Sequence, residues 1–206
     1  MENKILYFAV SNLCAFDIRE YKPLLTKDQM LELLSSKGLV HSEIDILSPA
    51  RDCIIASKYK RGSRLYEAPE FFDCSSFTKW LYGKIGVWIP RRSIQQYSYG
   101  VSASLESMVV GDLVFTTGHI NYWDIDPNCG VGHVGIYTGN SIIHAANKER
   151  GVVEDSVERF LSNCEFRGIR RFIHSFEDTV VIRLPENREI ESSDDIRWIL
   201  LQSSAK

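Results

Sequence analysis

Gly132-His133-Val134-Gly135-Ile136-Tyr137-Thr138-Gly139-Asn140-Ser141-Ile142-Ile143-His144 is the stretch that decides how this chain folds. Two short apolar runs, rich in β-branched residues, flank Gly139-Asn140, a pair suited to a hairpin turn. A two-residue loop pairs Thr138 with Ser141 and Gly135 with His144, which leaves His133 diagonal to His144 on the same face. A four-residue loop over 137–140 sets the histidines directly opposite each other, and an odd-length loop sends them to opposite faces. In either even register one imidazole can accept a proton while the other fixes its ring. Two incidental polar residues on a solvated face fit the same pattern.

Around the hairpin, residues 112–116 and 166–173 read as further strands. Upstream the period is helical. Thr26-Lys27-Asp28-Gln29 is a capping box ahead of Met30, Leu31, Leu33 and Leu34. Ser48-Pro49 reads as a second helix start, with Ile54 and Ile55 facing inward and an end near Tyr59-Lys60-Arg61-Gly62. Phe77, Trp80, Leu81 and Ile85 mark one buried face of a helix opened by Asp73-Cys74-Ser75-Ser76. A short helix is expected between Pro90 and Tyr99, then, past the sheet, a strand over 179–184 and a capped helix over 194–202. Helices first and an antiparallel sheet after them make the fold α+β, N-terminal helices packed on a central antiparallel sheet. Residues 1–50 are expected to form a helical extension packed on the core, 51–175 the main domain, and 176–206 a strand–helix extension of the same compact unit.

The 206 residues, 44% hydrophobic and 25% charged, suffice for one domain with a substantial core. Twenty-four basic against 27 acidic residues, a formal charge of −3, give no broad electrostatic footprint for nucleic acid. No apolar run approaches the roughly 20 residues of a membrane span. The apolar stretch 5–16 lacks a basic flank and a small-x-small cleavage site, so a buried strand or short helix and a cytoplasmic location are expected, with export left open. Oligomeric state is not legible.

Five cysteines, Cys14, Cys53, Cys74, Cys129 and Cys164, are an odd number, so a monomer holds at least one free thiol. Their spacing is not that of a zinc site, and His119 or Cys129 are the only nearby third ligands for a two-histidine metal site. Cys74 has the setting of a nucleophile. With Asp73 as N-cap it occupies the first turn of a helix, where the dipole and free amides favour a thiolate and can steady an oxyanion. The same position also suits a buried cysteine that only packs.

Asp73-Cys74-Ser75-Ser76-Phe77 ahead of an aromatic-rich helix resembles the Asp-Cys-Ser-Gly signature of NlpC-type peptidases, papain-like cysteine hydrolases that cut bacterial cell-wall peptides. Further stretches follow in the family's order. Pro90-Arg91-Arg92-Ser93 with Gln96 is similar to its Pro-Arg-Thr-Ser-x-x-Gln segment. Gly111-Asp112-Leu113-Val114-Phe115 is similar to its Gly-Asp-Leu-Val-Phe strand, and Gly132–Tyr137 with Ile143-His144-Ala145 to its histidine hairpin. Ser76 stands where the signature has Gly, and the stretch from Tyr59 to Cys74 is longer than the family's.

The resemblance implies a papain-like NlpC-type fold, with 51–175 as its catalytic domain. It makes Cys74 the nucleophile, His133 the general base and His144 the orienting third residue. Tyr59, in Tyr59-Lys60-Arg61-Gly62, would complete the oxyanion site, with Tyr66 as the weaker candidate. Asp73 and Ser75 would line the substrate groove, and Arg91 would meet a substrate carboxylate or serve packing alone. The implied reaction is amide hydrolysis through a thioester, on a peptidoglycan stem peptide at the bond from D-glutamate to a diamino acid, with no metal or other cofactor. An N-acetylmuramoyl-alanine-type amidase on the same fold and a non-catalytic binding module are the alternatives.

Overall fold

A computed structural model of the chain describes residues 7–22, 24–118, 130–162 and 164–204. In chain order its regular elements begin with β1 (Leu13–Asp17), α1 (Lys27–Ser36), β2 (Val40–Ser42), α2 (Leu47–Asp52), β3 (Lys58–Tyr59), β4 (Phe71–Phe72), α3 (Cys74–Lys84) and α4 (Ser93–Tyr99). They continue with β5 (Val101–Ala103), β6 (Leu113–Thr116), β7 (His133–Tyr137), β8 (Ser141–Asn147), β9 (Gly151–Ser156), α5 (Val157–Leu161), β10 (Phe166–Arg171), β11 (Thr179–Arg183) and α6 (Ser193–Ser204). Among the described residues no helix is long and apolar enough to cross a membrane. The chain divides into two compact units.

One unit comprises Met1–Asp45, Tyr82–Trp88 and Ile173–Lys206. Its sheet has the order β1-β11-β2, so a strand from late in the sequence lies between two early ones. Both pairings are antiparallel, with Phe16 opposite Val180 and Ile182 opposite both Cys14 and His41. The N-terminal stretch expected to be helical therefore supplies strands as well. The capping box of α1 forms: Thr26 Oγ1 accepts from the Gln29 amide at 3.3 Å, and the Thr26 amide donates to Gln29 Oε1 at 2.9 Å. Cys14, Phe16, Met30, Leu34, Val180, Ile182, Ile196 and Leu200 form the buried core.

The other unit comprises Ile46–Leu81 and Ile89–Phe172. Its six-stranded sheet runs β5-β10-β6-β7-β8-β9, every pairing antiparallel. Val114, Ile142 and Ile169 bury one face together with Phe160 of α5. The histidine hairpin adopts the two-residue loop. Ile136 pairs with Ile143 and Tyr137 with Ile142, and Thr138 donates its amide to the Ser141 carbonyl at 3.0 Å. Gly139 opens that loop at φ +110°, a conformation an L side chain resists.

The helix read from Ser48-Pro49 to about Gly62 is shorter in the structure. It begins one residue before Ser48 and ends at Asp52, and Ile55 takes φ +66° and is 89% exposed instead of facing inward. A left-handed β-branched residue cannot continue a helix. The chain instead enters β3, which pairs in parallel with β4, Tyr59 opposite Phe72. The long connection between them thus leaves and returns, and Tyr59 ends up beside the strand that leads directly into Cys74.

Candidate active site

Asp73 joins β4 to α3 and caps the helix. Its Oδ1 accepts from the Ser76 amide at 2.7 Å, while its own amide donates to Ser76 Oγ at 2.9 Å. This reciprocal pair is a capping box, so the serine that replaces the signature's glycine closes the first turn. Cys74 follows as the first residue of α3 and is 8% exposed. A buried glutamine secures the same turn. Gln96 of α4 donates through Nε2 to the Ser75 carbonyl at 3.0 Å and the Pro90 carbonyl at 2.9 Å, and accepts from Thr78 Oγ1 at 3.0 Å.

Arg91 meets a carboxylate of its own chain. Its Nη1 donates to Asp73 Oδ1 and Ser75 Oγ, each at 3.0 Å, and its Nη2 to Asp73 Oδ2 at 2.7 Å and the Ser63 carbonyl at 2.6 Å. Asp73 also accepts from the Gly62 amide at 2.9 Å. The groups flanking Cys74 are thereby locked to each other and to the chain that follows Tyr59.

A cleft of about 650 Å³ brings most of the sequence-derived residues together: Tyr59, Asp73, Cys74, Ser75, Arg91 and His133 all line it. Tyr66 does not, and is 86% exposed. Arg61, Arg64 and Arg92 add exposed guanidinium groups, and Asp73 is the one carboxylate among the described lining residues. His144 lies behind the wall, 6% exposed, with Nδ1 2.8 Å from Nε2 of His133. The two-residue hairpin loop makes this contact, since continuing the register sets His144 opposite Gly135 and diagonal to His133. The missing side chain at 135 gives the imidazole room: a Cβ there would lie 3.1 Å from that of His144.

The helix start does not lower the Cys74 pKa as expected. Burial, reinforced by the charge of Asp73, pushes the thiol up to about 12, against opposing hydrogen bonds from the Val134 and Ser75 amides and the charge of Arg91. Burial thus favours the protonated thiol, whose proton leaves as the new bond forms. The Val134 amide at Cys74 sets the sulfur against β7 one residue beyond His133.

Sequence reasoning missed the far side of the histidine pair. Its components come from β9, α5 and the turn before β9. Asp155 is 5% exposed and its Oδ2 lies 3.1 Å from His144 Nε2. Arg150 donates to Asp155 through Nη1 at 2.8 Å and Nη2 at 2.5 Å, and Arg159 Nε lies 3.3 Å from Oδ1. Phe160 packs against both imidazoles, its ring centroid 5.6 Å from His133 and 4.9 Å from His144. The available signal was the β-branched pair Val152-Val153 before Ser156, an N-cap whose Oγ accepts from the Arg159 amide. His119, Tyr122, Trp123, Pro127 and Cys129 lie outside the described residues. Among the described residues no group of three or more His, Cys, Asp or Glu is arranged to hold a metal ion.

A probable endopeptidase p60 of Listeria innocua is 35% identical over 108 residues, which cover 50% of this chain and 21% of that protein. A gamma-D-glutamyl-L-lysine dipeptidyl-peptidase of Bacillus cereus is 30% identical over 174 residues, 78% of this chain and 48% of that protein. The chain thus spans half or less of the length of these relatives. The solved structure of NlpC1 from Trichomonas vaginalis, 22% identical, superposes with a TM-score of 0.51 over 62% of this chain and 42% of that one, a likeness of fold. The sequence model of the NlpC/P60 family matches residues 57–171, from the strand that carries Tyr59 to the end of β10. With more than half its length matched, and the cysteine, the histidine hairpin and the cleft in place, the chain belongs to the NlpC/P60 family.

Proposed function

We propose that this chain is a cysteine endopeptidase that hydrolyses a D-glutamyl–diamino acid bond in bacterial cell-wall stem peptides. The observation that carries the reading is the cleft in which Cys74 and His133 share a wall while His144 holds the far nitrogen of His133. Nε2 of His133 faces His144 at 2.8 Å, which assigns Nδ1, the other ring nitrogen, to the thiol in this reading.

The substrate carbonyl enters beside Cys74, and Sγ attacks as His133 takes the thiol proton. The oxyanion is steadied by the Cys74 amide at the helix start and by Tyr59. His133 returns the proton to the leaving amine, which departs and leaves a thioester. Water, deprotonated by His133, then cleaves the thioester and regenerates the thiol. Asp73, Ser75 and Arg91 act by holding the nucleophile's turn. The excess of guanidinium groups along the cleft supports a substrate rich in free carboxylates, as stem peptides are.

Digestion of purified muropeptides, with products identified by mass, tests the proposal. Wild type is expected to release fragments cut after D-glutamate, and Cys74→Ala and His133→Ala to release none. Products cut between muramic acid and alanine would instead assign an amidase, and unchanged cleavage by Cys74→Ala would rule out the cysteine mechanism.

A further inference from the structure

The contacts behind His133 form one line across three neighbouring strands, β7, β8 and β9. His133 Nε2 faces His144 Nδ1 at 2.8 Å, His144 Nε2 faces Asp155 Oδ2 at 3.1 Å, and Asp155 is gripped by both terminal nitrogens of Arg150. Each step is diagonal in its strand pair. His144 sits opposite Val153, two residues before Asp155, as Gly135 sits two residues after His133.

Proton positions follow from the end of this line. A carboxylate held by two guanidinium groups is ionised and only accepts hydrogen bonds, so His144 Nε2 carries a proton. Neutral His144 then has a bare Nδ1, and His133 must donate to it from Nε2. Neutral His133 is left with its lone pair on Nδ1.

We infer that Asp155, fixed by Arg150, is a positioning residue that sets the tautomers of both histidines and so makes His133 Nδ1 the base. This rests on the reading of Cys74 and His133 as nucleophile and base. The effect is one of orientation rather than of field. Arg150 and Arg159 offset the negative charge of Asp155, which leaves its hydrogen bond to His144 as the main effect. Phe160, packed on both rings, keeps them from turning to other partners.

Asp155→Asn separates the two effects. Oδ1 faces nitrogens of both Arg150 and Arg159, whereas Oδ2 faces one of Arg150 and His144 Nε2. The amide oxygen therefore takes the Oδ1 place, Arg150 Nη1 gives up its bond, and the NH₂ turns toward His144 Nε2. The whole line then reverses: His144 becomes protonated at Nδ1 and donates to His133, whose proton moves to Nδ1.

Ring ¹⁵N chemical shifts of histidine-labelled protein near pH 8 read this directly and require no turnover. Wild type is expected to hold both rings as Nε2–H. Asp155→Asn is expected to hold both as Nδ1–H, with kcat on muropeptides reduced on the order of 100-fold or more and KM within about twofold. Arg150→Met, which keeps the carboxylate, is expected to retain the Nε2–H tautomers. A wild-type His133 protonated at Nδ1 overturns the inference, and that result does not depend on whether any variant folds. Asp155→Asn with unchanged tautomers overturns it as well. Tautomers that behave as expected in a protein that cleaves no wall peptide would uphold the inference and refute the proposed peptidase instead.

Discussion

Arg91 grips both carboxylate oxygens of Asp73, at 3.0 and 2.7 Å, on the residue immediately before the candidate nucleophile. Burial pushes the Asp73 carboxyl up, but Arg91 and the Ser76 amide outweigh it and hold the group below its ordinary range. With its side chain 33% exposed, Arg91 forms a half-buried pair, and Arg91→Ala is expected to cost about 1–3 kcal/mol of stability. Arg91→Lys should recover only part, because an ammonium cannot span both oxygens. Urea midpoints measure this. A variant that lost substrate affinity at unchanged stability would return Arg91 to the role of substrate contact.

Burial of the Cys74 thiol, which raises it to about 12, gives a labelling order. Near neutral pH, iodoacetamide is expected to modify half-exposed Cys164 before Cys74 or Cys14, whose thiol burial likewise pushes up to about 12. Peptide mapping by mass after timed labelling checks the order. Rapid preferential modification of Cys74 would mean a thiolate already present at rest.

Acid should destabilise this unit in two stages. Burial holds His144 below its ordinary 6.5, against the pull of Asp155. The unfolded chain therefore protonates first, and stability falls as pH drops from 6.5 toward the lowered value. Asp155 acts lower down: burial pushes it up, but the hydrogen bonds from Arg150 and His144 prevail and bring it to about 2 from an ordinary 3.8. Its contribution, on the order of 2 kcal/mol, is complete above pH 3.8 and is lost as pH falls toward 2. Denaturant midpoints across that range measure both stages, and Arg150→Met should shrink the lower one. A midpoint flat from neutrality to acid would contradict the buried line.

Gly135 is fixed by Ile142 and His144 of the neighbouring strand. A Cβ there would lie 2.3 Å from Ile142 Cγ2 and 3.1 Å from His144 Cβ, both in the buried sheet. Gly135→Ala is expected to lose about 1–3 kcal/mol and to reduce kcat through displacement of His144. Thermal unfolding and steady-state kinetics together provide the check; a fully active, equally stable variant would show that the strands yield freely.

The exposed arginines of the cleft give a salt-dependent expectation. Charge reversal at Arg61, Arg64 or Arg92 should raise KM for carboxylate-bearing stem peptides several-fold at low ionic strength, with kcat little changed and the effect shrinking as salt is added. Equal KM values for wild type and all three variants would remove these residues from substrate recognition.

The nucleophile's turn and the histidine hairpin were legible because each rests on local chemistry. Asp73 caps the helix it precedes, and Gly139-Asn140 leaves an even register that keeps His133 and His144 on one face. Asp155 was not legible. In Gly151-Val152-Val153-Glu154-Asp155-Ser156 the apolar residues are adjacent rather than alternating, and an acidic pair reads as solvated surface. Only the β8–β9 register brings Asp155 to His144, with Arg150 and Arg159 beside it. The raised pKa of Cys74 was hidden for a related reason: the helix start is visible in sequence, but the protein packed around the sulfur is not, and burial outweighs the amides. In α2, the Ser48-Pro49 start outweighed the left-handed turn at Ile55, which no local motif announces.

The place of β11 between β1 and β2 bears on the order in which the protein is made. A ribosome completes every strand of the six-stranded sheet by Arg171, so the candidate catalytic apparatus has all its parts while later residues are still being added. Among the described residues, β1 and β2, synthesised long before, pair in a sheet only with Thr179–Arg183. The earliest strands are therefore among the last to complete their sheet, and a nascent chain halted between residues 171 and 179 would hold every strand of the six-stranded sheet while β1 and β2 still lacked β11.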